Sequence, residues 1–193
     1  MTARWWWLLC ALWAGAAGAQ GTYAQRYAAT CAACHGAAGH SAMQDVPSLG
    51  GQSPLYAITQ LYLFRAGRRT SPAMNALAGQ MSDADLRGFA DVIAALPAPP
   101  APDGQPDGER LARGYATAQR RQCLACHGAD GAGGKQVPRL AFQREEYLLA
   151  SLQGFKSARR IGYTQAMTDV LGEVGEGELA DLAHFLAHFP APR

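Results

Sequence analysis

The sequence predicts an all-α protein in which two tandem copies of one domain follow a short leader. Matching residues recur at an offset of about 92 positions, as Cys31 and Cys123 or Leu86 and Leu179 illustrate. Within each copy, apolar residues recur at helical spacing, and no segment alternates apolar and polar residues as half-buried strands do. The length of 193 residues fits two small domains.

The first nineteen residues are predicted to be a secretory signal peptide that is cleaved after Ala19. A short stretch with one positive charge precedes the apolar run 5–14, and Ala17, Gly18 and Ala19 form a small-residue cleavage site. The run is shorter than the about 20 apolar residues of a membrane-spanning helix, although an uncleaved anchor is the alternative interpretation. The sequence therefore predicts an exported protein in an oxidising compartment.

Three segments follow the leader: a first domain over 20–97, a proline-rich linker over 98–108 and a second domain over 109–193. Proline-rich linkers are extended and semi-rigid, so this one is expected to hold the domains close together. In the first domain, helices are predicted over 22–34 and 54–66 and from the N-cap Ser82 to just before Pro97. Their counterparts in the second domain are predicted over 108–126, 144–157 and 176–189.

Without the leader, four cysteines remain, and all of them lie in two C-x-x-C-H motifs. Two thiols on one helical turn can form thioethers to the vinyl groups of a haem, and the adjacent histidine can then bind the iron. A shared zinc site, a thioredoxin-like redox pair and two short-loop disulfides are alternatives, but the histidine after each motif argues against them. The sequence therefore predicts two covalently bound haem c groups. The predicted residues are Cys31, Cys34 and His35 in the first motif, and Cys123, Cys126 and His127 in the second.

Methionine is a common second axial ligand of an electron-transfer haem. Met167 is the only methionine after the second motif, and at the local offset of 93 it matches Met74. Met81 matches Val174 and is interpreted as packing, and Met43 lies too close to the first motif. The repeat thus predicts Met74 as a ligand of the first haem iron and Met167 as a ligand of the second.

Three further histidines are interpreted as ordinary surface or interface residues rather than iron ligands. His40 lies shortly after the first motif and is expected to stay on the proximal side. His184 and His188 are four residues apart on the last predicted helix, a spacing that can bind zinc weakly. Their equivalents in the first domain are Asp91 and Ala95, so the pair is not part of the repeat.

Several other residues recur at equivalent places in the two domains. Pro47 and Pro138 follow the haem histidines by 12 and 11 residues, and a carbonyl there is expected to accept the histidine Nδ1 proton, with a simple turn proline as the alternative. Tyr56 and Tyr147 are interpreted as packing in the core or at the haem edge. Four arginines are interpreted either as partners of the haem propionates or as surface charges: Arg68, Arg69, Arg159 and Arg160.

Over residues 22–193 the chain resembles the di-haem cytochromes c of the cytochrome c4 type. The resemblance rests on CAACHG and CLACHG, on PSLGGQ and PRLAFQ, on the two repeated methionines and on the last helix of each copy. It implies two class I cytochrome c domains packed about a pseudo-twofold axis. It also implies that His35 and Met74 bind the first iron and that His127 and Met167 bind the second.

The sequence departs from the family pattern at two points. Phe142 replaces the small residue expected in PRLAFQ, and Val174, Gly175 and Glu176 form a weak start for the last helix. These departures bear on the helix boundaries more than on the ligands.

The resemblance implies a periplasmic electron carrier, rather than an enzyme, that passes electrons between respiratory components and on to a haem-copper terminal oxidase. Docking with a respiratory donor complex and the oxidase is expected to be transient, with membrane contact only through these partners. The formal net charge of +2 gives no electrostatic case for nucleic-acid binding. A dedicated cytochrome subunit of a dehydrogenase is an alternative, because it uses the same domains. A di-haem peroxidase is a second alternative, but it needs an iron with a vacant or displaceable ligand, and a methionine in both domains argues against it.

Overall fold

The computed structural model describes residues 21–160 and 165–189, and the predicted signal peptide lies outside these residues. The first domain contains helices α1 (Tyr23–Thr30), α2 (Ala32–His35), α3 (Pro54–Arg65), α4 (Pro72–Ala78) and α5 (Asp83–Ala95). The second contains α6 (Gly108–Arg120), α7 (Cys123–His127), α8 (Glu145–Lys156), α9 (Ala166–Gly172) and α10 (Glu176–Ala187). The described residues form no strand, and their one isolated β-bridge joins Gly134 and Val137. The predicted all-α fold class is confirmed.

No helix in the described part of the chain combines the length and the apolar character needed to cross a membrane.

Capping residues define where several helices begin. Thr22 and Gln25 form a capping box at the start of α1, and Ser82 and Asp85 form one at the start of α5. The carboxylate of Asp107 accepts hydrogen bonds from two backbone amides in the first turn of α6. These side chains satisfy amides that have no partner within their own helix.

The predicted helices over 22–34 and 108–126 are each divided in two. In the first domain, α1 ends before Cys31, which is the junction with the short helix α2. In the second domain, Gln122 has a left-handed backbone with φ of 53° and separates α6 from α7. Each C-x-x-C-H motif therefore lies on a separate short helix that changes direction from the helix before it.

The first and last helices of each domain cross closely at a glycine. A Cβ on Gly88 of α5 would lie 2.2 Å from ring atoms of Tyr23 in α1. A Cβ on Gly114 of α6 would lie 2.2 Å from the carbonyl oxygen of Asp181 in α10. The glycine thus lies in the last helix of the first domain but in the first helix of the second.

Ion pairs on two equivalent carboxylates join these crossing helices. Arg26 of α1 pairs with Asp85 of α5 at 2.6 Å, and Arg120 of α6 pairs with Glu178 of α10. Glu178 also accepts a hydrogen bond from the amide of Gly175 at 2.8 Å. The α10 start that is weak in sequence is therefore supported by the same kind of carboxylate that closes the capping box of α5.

Each domain has its own apolar core, in which the third long helix, α3 or α8, packs against the last helix, α5 or α10. The first core consists of Tyr27, Ala57, Leu61, Leu86, Phe89, Ala90 and Ile93. The largest fully buried side chains belong to the second core and are Leu171, Val174, Leu179, Leu182 and Phe185. Each large apolar side chain buried in this way contributes about 1.5–3 kcal/mol relative to exposure.

The two domains meet in an interface with pseudo-twofold symmetry. The side chain of Gln143 accepts a hydrogen bond from the Ser48 amide at 2.7 Å and donates one to the Ser48 carbonyl at 2.8 Å. In the equivalent arrangement on the other side of the pseudo-twofold axis, Gln52 accepts from the Arg139 amide at 3.0 Å and donates to the Arg139 carbonyl at 2.9 Å. Gln52 and Gln143 are equivalent in the repeat, as are Ser48 and Arg139.

A second reciprocal cluster lies in the same interface. Arg69 of the first domain donates to the Tyr147 hydroxyl of the second at 2.8 Å, and Arg160 of the second reaches the Tyr56 hydroxyl of the first at 3.5 Å. Arg160 also donates to the Tyr147 hydroxyl at 3.3 Å. These two arginines are therefore interdomain residues rather than surface charges, whereas Arg68 and Arg159 are exposed.

Candidate haem sites

The four cysteines of the two motifs are free thiols, so the disulfide alternative is not supported. Cys34 and Cys126 are exposed, whereas Cys31 and Cys123 are partly buried against the core of their own domain. Within the described residues, no cysteine belongs to a cluster of three or more histidine, cysteine or carboxylate side chains that could hold a metal ion. This also removes support for the shared zinc site.

A glycine directly after each haem histidine lets the chain leave the motif helix. Gly36 and Gly128 have φ values of 80° and 85°, a region that residues with a side chain rarely adopt. A Cβ on Gly36 would also lie 2.1 Å from the carbonyl oxygen of His40, which leaves no room for a side chain. The glycine of each C-x-x-C-H-G sequence is therefore required by the backbone.

Both haem histidines are buried and oriented by a proline carbonyl. His35 Nδ1 lies 2.8 Å from the Pro47 oxygen, and His127 Nδ1 lies 3.1 Å from the Pro138 oxygen. Because a carbonyl oxygen can only accept, Nδ1 carries the proton and Nε2 presents its lone pair. The predicted role of the two proline carbonyls is confirmed for these hydrogen bonds.

The protonation state of these histidines suits metal binding. Burial lowers the pKa of His35 and of His127 below the usual histidine value, and the hydrogen bonds to the proline carbonyls oppose this shift only in part. The imidazoles are therefore neutral at neutral pH, as a ligand nitrogen must be.

The two methionines predicted from the repeat lie on equivalent short helices. Met74 is in α4 and Met167 is in α9, and both are partly buried against the core of their own domain. Met81 also packs on the first core, outside these helices, and its carbonyl accepts a hydrogen bond from Arg65 at 3.0 Å. Met43 is exposed.

An asparagine fixes the segment that carries Met74. The Asn75 side chain donates to the carbonyls of Phe64 and Arg69 at 2.7 and 2.9 Å, and it accepts from the Ser71 amide at 2.8 Å. These hydrogen bonds hold the start of α4 against the end of α3 and so fix the backbone that carries Met74.

One guanidinium nitrogen is buried on the residue that follows the proline of the second haem histidine. Arg139 directly follows Pro138, and its Nε is buried without a hydrogen-bond partner among the described residues. A buried guanidinium nitrogen of this kind calls for an acceptor. Free thiols and a neutral, oriented imidazole form a donor set that fits covalent haem c.

The interpretation of His184 as a surface or interface residue is wrong. His184 is only 5% exposed and lies in the interior of the second domain. Its Nδ1 is 2.8 Å from Glu145, whose other oxygen accepts from Arg110 at 2.8 Å. The ring of His188 lies 4.2 Å from that of His184, centroid to centroid. The spacing of His184 and His188 was visible in the sequence, but nothing linked Arg110 and Glu145 to them, because these residues lie on two other helices, α6 and α8.

Comparison with known proteins identifies the family of each half of the chain. Residues 18–91 match the family described as cytochrome c oxidase, cbb3-type, subunit III, and residues 111–190 match the family described as cytochrome c. The thiosulfate dehydrogenase electron acceptor of Stutzerimonas stutzeri strain A1501 is 34% identical over 94% of this chain and 89% of its own length. Cytochrome c4 of Pseudomonas aeruginosa is 31% identical over 84% of this chain and 85% of its own length.

The fold agrees with these relatives. The crystal structure of reduced recombinant cytochrome c4 from Pseudomonas stutzeri superposes with a TM-score of 0.76 and covers 86% of this chain and 96% of its own, at 24% sequence identity. Two cytochrome c domains, each with its C-x-x-C-H motif, imply two covalent haem c groups. The chain therefore belongs to the cytochrome c4 family of di-haem electron-transfer proteins.

Proposed function

We propose that the protein is an exported, periplasmic carrier that passes electrons between respiratory components and delivers them to a haem-copper terminal oxidase. The predicted signal peptide supports export, and the membership in the cytochrome c4 family supports electron transfer. The match of residues 18–91 to a family described as a subunit of a cbb3-type oxidase supports an oxidase as the partner.

In this proposal the residues predicted from the repeat hold the two haem groups. Bound haem iron would gain and lose single electrons between its ferric and ferrous forms. The thiols of Cys31, Cys34, Cys123 and Cys126 would attach the groups covalently. His35 and Met74 would bind the first iron, and His127 and Met167 the second.

The observation that carries the proposal is that the same arrangement occurs in both domains. Each haem histidine has its Nδ1 proton held by a proline carbonyl, and each domain places its predicted methionine on an equivalent short helix. Two such sites would leave no iron open to a substrate, which favours a carrier over a peroxidase.

Carbon monoxide tests the ligand assignment directly. We expect that adding it to the fully reduced protein leaves the visible spectrum unchanged, because both irons keep their two axial protein ligands. A spectral change on half or all of the haem would show an open iron and would contradict the simple carrier.

A second candidate function is the electron acceptor of a thiosulfate dehydrogenase. It is favoured by the relative of that name, whose 34% identity extends over 94% of this chain. It agrees with the alternative of a cytochrome dedicated to a dehydrogenase.

Stopped-flow kinetics separate the two candidates. The oxidised protein would be mixed with thiosulfate dehydrogenase and thiosulfate, and the reduced protein with a cbb3-type oxidase. Fast oxidation by the oxidase supports the first proposal. Fast reduction by the dehydrogenase together with slow oxidation by the oxidase would replace the first proposal with the second.

A further inference from the structure

The peptide group after each of the two prolines is shared between the domains. The Pro47 carbonyl accepts from His35 Nδ1, and the amide of the same peptide group, on Ser48, donates to Gln143 of the other domain. The peptide between Pro138 and Arg139 does the same in the second domain, where its carbonyl orients the haem histidine. The Arg139 amide donates to Gln52 of the first domain.

A planar peptide group transmits polarisation from one end to the other. Carbonyl and amide share one conjugated system, so a hydrogen bond accepted from the amide makes the carbonyl oxygen a stronger acceptor. Gln143 therefore strengthens the hydrogen bond between Pro47 and His35. A stronger acceptor at Nδ1 makes the imidazole a better donor at Nε2.

The burial of these groups keeps water from replacing the hydrogen bonds. Ser48, Gln52 and Gln143 are 4%, 6% and 5% exposed. Each glutamine bonds both the N–H and the C=O of one residue, which fixes the backbone of that residue. The N–H belongs to the peptide group whose carbonyl orients the haem histidine.

We propose that each domain supplies the residue that positions and polarises the haem histidine of the other. Gln143 of the second domain acts on His35 of the first, and Gln52 of the first domain acts on His127 of the second. This inference rests on the proposed role of the two histidines as iron ligands. Its consequence is that docking of the domains sets the electron-donor strength of both axial histidines.

The direction of the effect follows from the chemistry. A better imidazole donor stabilises the ferric iron more than the ferrous iron, and so it lowers the reduction potential. Removal of Gln143 is therefore expected to raise the potential of the haem in the first domain. Removal of Gln52 is expected to raise that of the haem in the second.

The test is a redox titration of the full-length holoprotein in which NMR resolves the two haems. We expect Gln143→Met to raise the potential of the first-domain haem and to speed solvent exchange of the His35 Nδ1 proton, with little change at the second. Gln52→Met should give the reverse pattern. Gln60→Met is a matched control, because Gln60 accepts from Arg69 next to the same interface but touches neither proline peptide.

Three outcomes would overturn the inference. The reduction potential could shift only for the haem of the domain that carries the substitution, it could shift equally for both haems, or it could stay unchanged in a folded variant. If Gln143→Met fails to fold, Gln143→Glu keeps an oxygen that accepts from the Ser48 amide, and its negative charge favours the ferric iron, so the potential of the first haem should not rise; a raised potential there would also contradict the inference. Failure of the ligand assignment would be visible separately, as carbon monoxide binding by the wild-type protein.

Discussion

Arg69 of the first domain donates a hydrogen bond to the hydroxyl of Tyr147 in the second, across 2.8 Å. Arg160 approaches the same oxygen at 3.3 Å, so two cations converge on one phenol in the domain interface. Burial alone would raise the pKa of Tyr147, but the charges and hydrogen bonds of Arg160 and Arg69 outweigh it and lower the pKa to about 7. This tyrosine therefore connects the pH of the medium to the association of the domains.

The first prediction concerns the pH dependence of stability. A tyrosine with a pKa near 10 when unfolded and about 7 when folded binds more protons in the unfolded state between these values. The free energy of unfolding should therefore rise as the pH increases from about 7 to 10, and this contribution should be lost as the pH falls through 7. Denaturant unfolding of wild type and Tyr147→Phe at several pH values measures it. An equal pH dependence in both proteins would refute the prediction.

The second prediction concerns the proposed methionine ligands, Met74 and Met167. Met74→Ala should let carbon monoxide bind to half of the reduced haem, and Met167→Ala should do the same for the other half, because each substitution would open one iron. Met81→Ala is the matched control, since Met81 packs on the same core as Met74, and it should bind none. Carbon monoxide binding by Met81→Ala but not by Met74→Ala would reverse the assignment in the first domain.

The third prediction concerns the potential of the second haem. Arg139 brings a positive charge with a buried Nε to the loop of the second haem histidine, where the first domain has the neutral Ser48. A nearby cation disfavours the more positive ferric state, so Arg139→Ser should lower the potential of the second haem. Potentiometric titration measures the change. Arg159→Ser removes an exposed arginine of the same domain and should leave the potential nearly unchanged.

The fourth prediction concerns the glycine after the first motif. Gly36→Ala should lower the free energy of unfolding by about 1–3 kcal/mol or more, because it adds backbone strain and a collision with the His40 carbonyl. Gly108→Ala is the control, since a Cβ there meets nothing within 4 Å and alanine favours helices. Chemical denaturation of both variants would show whether the losses differ; equal losses would contradict the steric argument.

Sequence periodicity predicted the long helices well because local signals set their ends. The segment predicted over 54–66 is α3, Pro54–Arg65, and the segment predicted over 144–157 is α8, Glu145–Lys156. The division of α1 from α2 was not predicted, since the apolar pattern continues through Cys31 and the turn there depends on the motif. The short helices α4 and α9 were also missed, because seven residues carry too little periodicity.

The parts of the candidate site that occur in both copies of the repeat could be predicted from the sequence. Repetition identified the cysteines, the histidines and the carbonyls that orient them. It also marked Gln52 and Gln143 as equivalent, but it gave them no role, because their partners lie in the other domain and depend on how the two domains dock. The same reason applies to Arg69 and Arg160, whose tyrosine partners are 78 and 104 residues away.

The two glutamines hold only backbone atoms of Ser48 and Arg139, and this leaves the side chains at both positions unconstrained by the symmetry of the interface. One position therefore carries a hydroxyl and the other a guanidinium while both keep the same docking contacts. A duplicated protein whose halves must stay complementary usually loses freedom to differentiate them. In this interface, positions 48 and 139 make the same backbone contacts but differ in charge. The two halves therefore differ in electrostatic character at equivalent points.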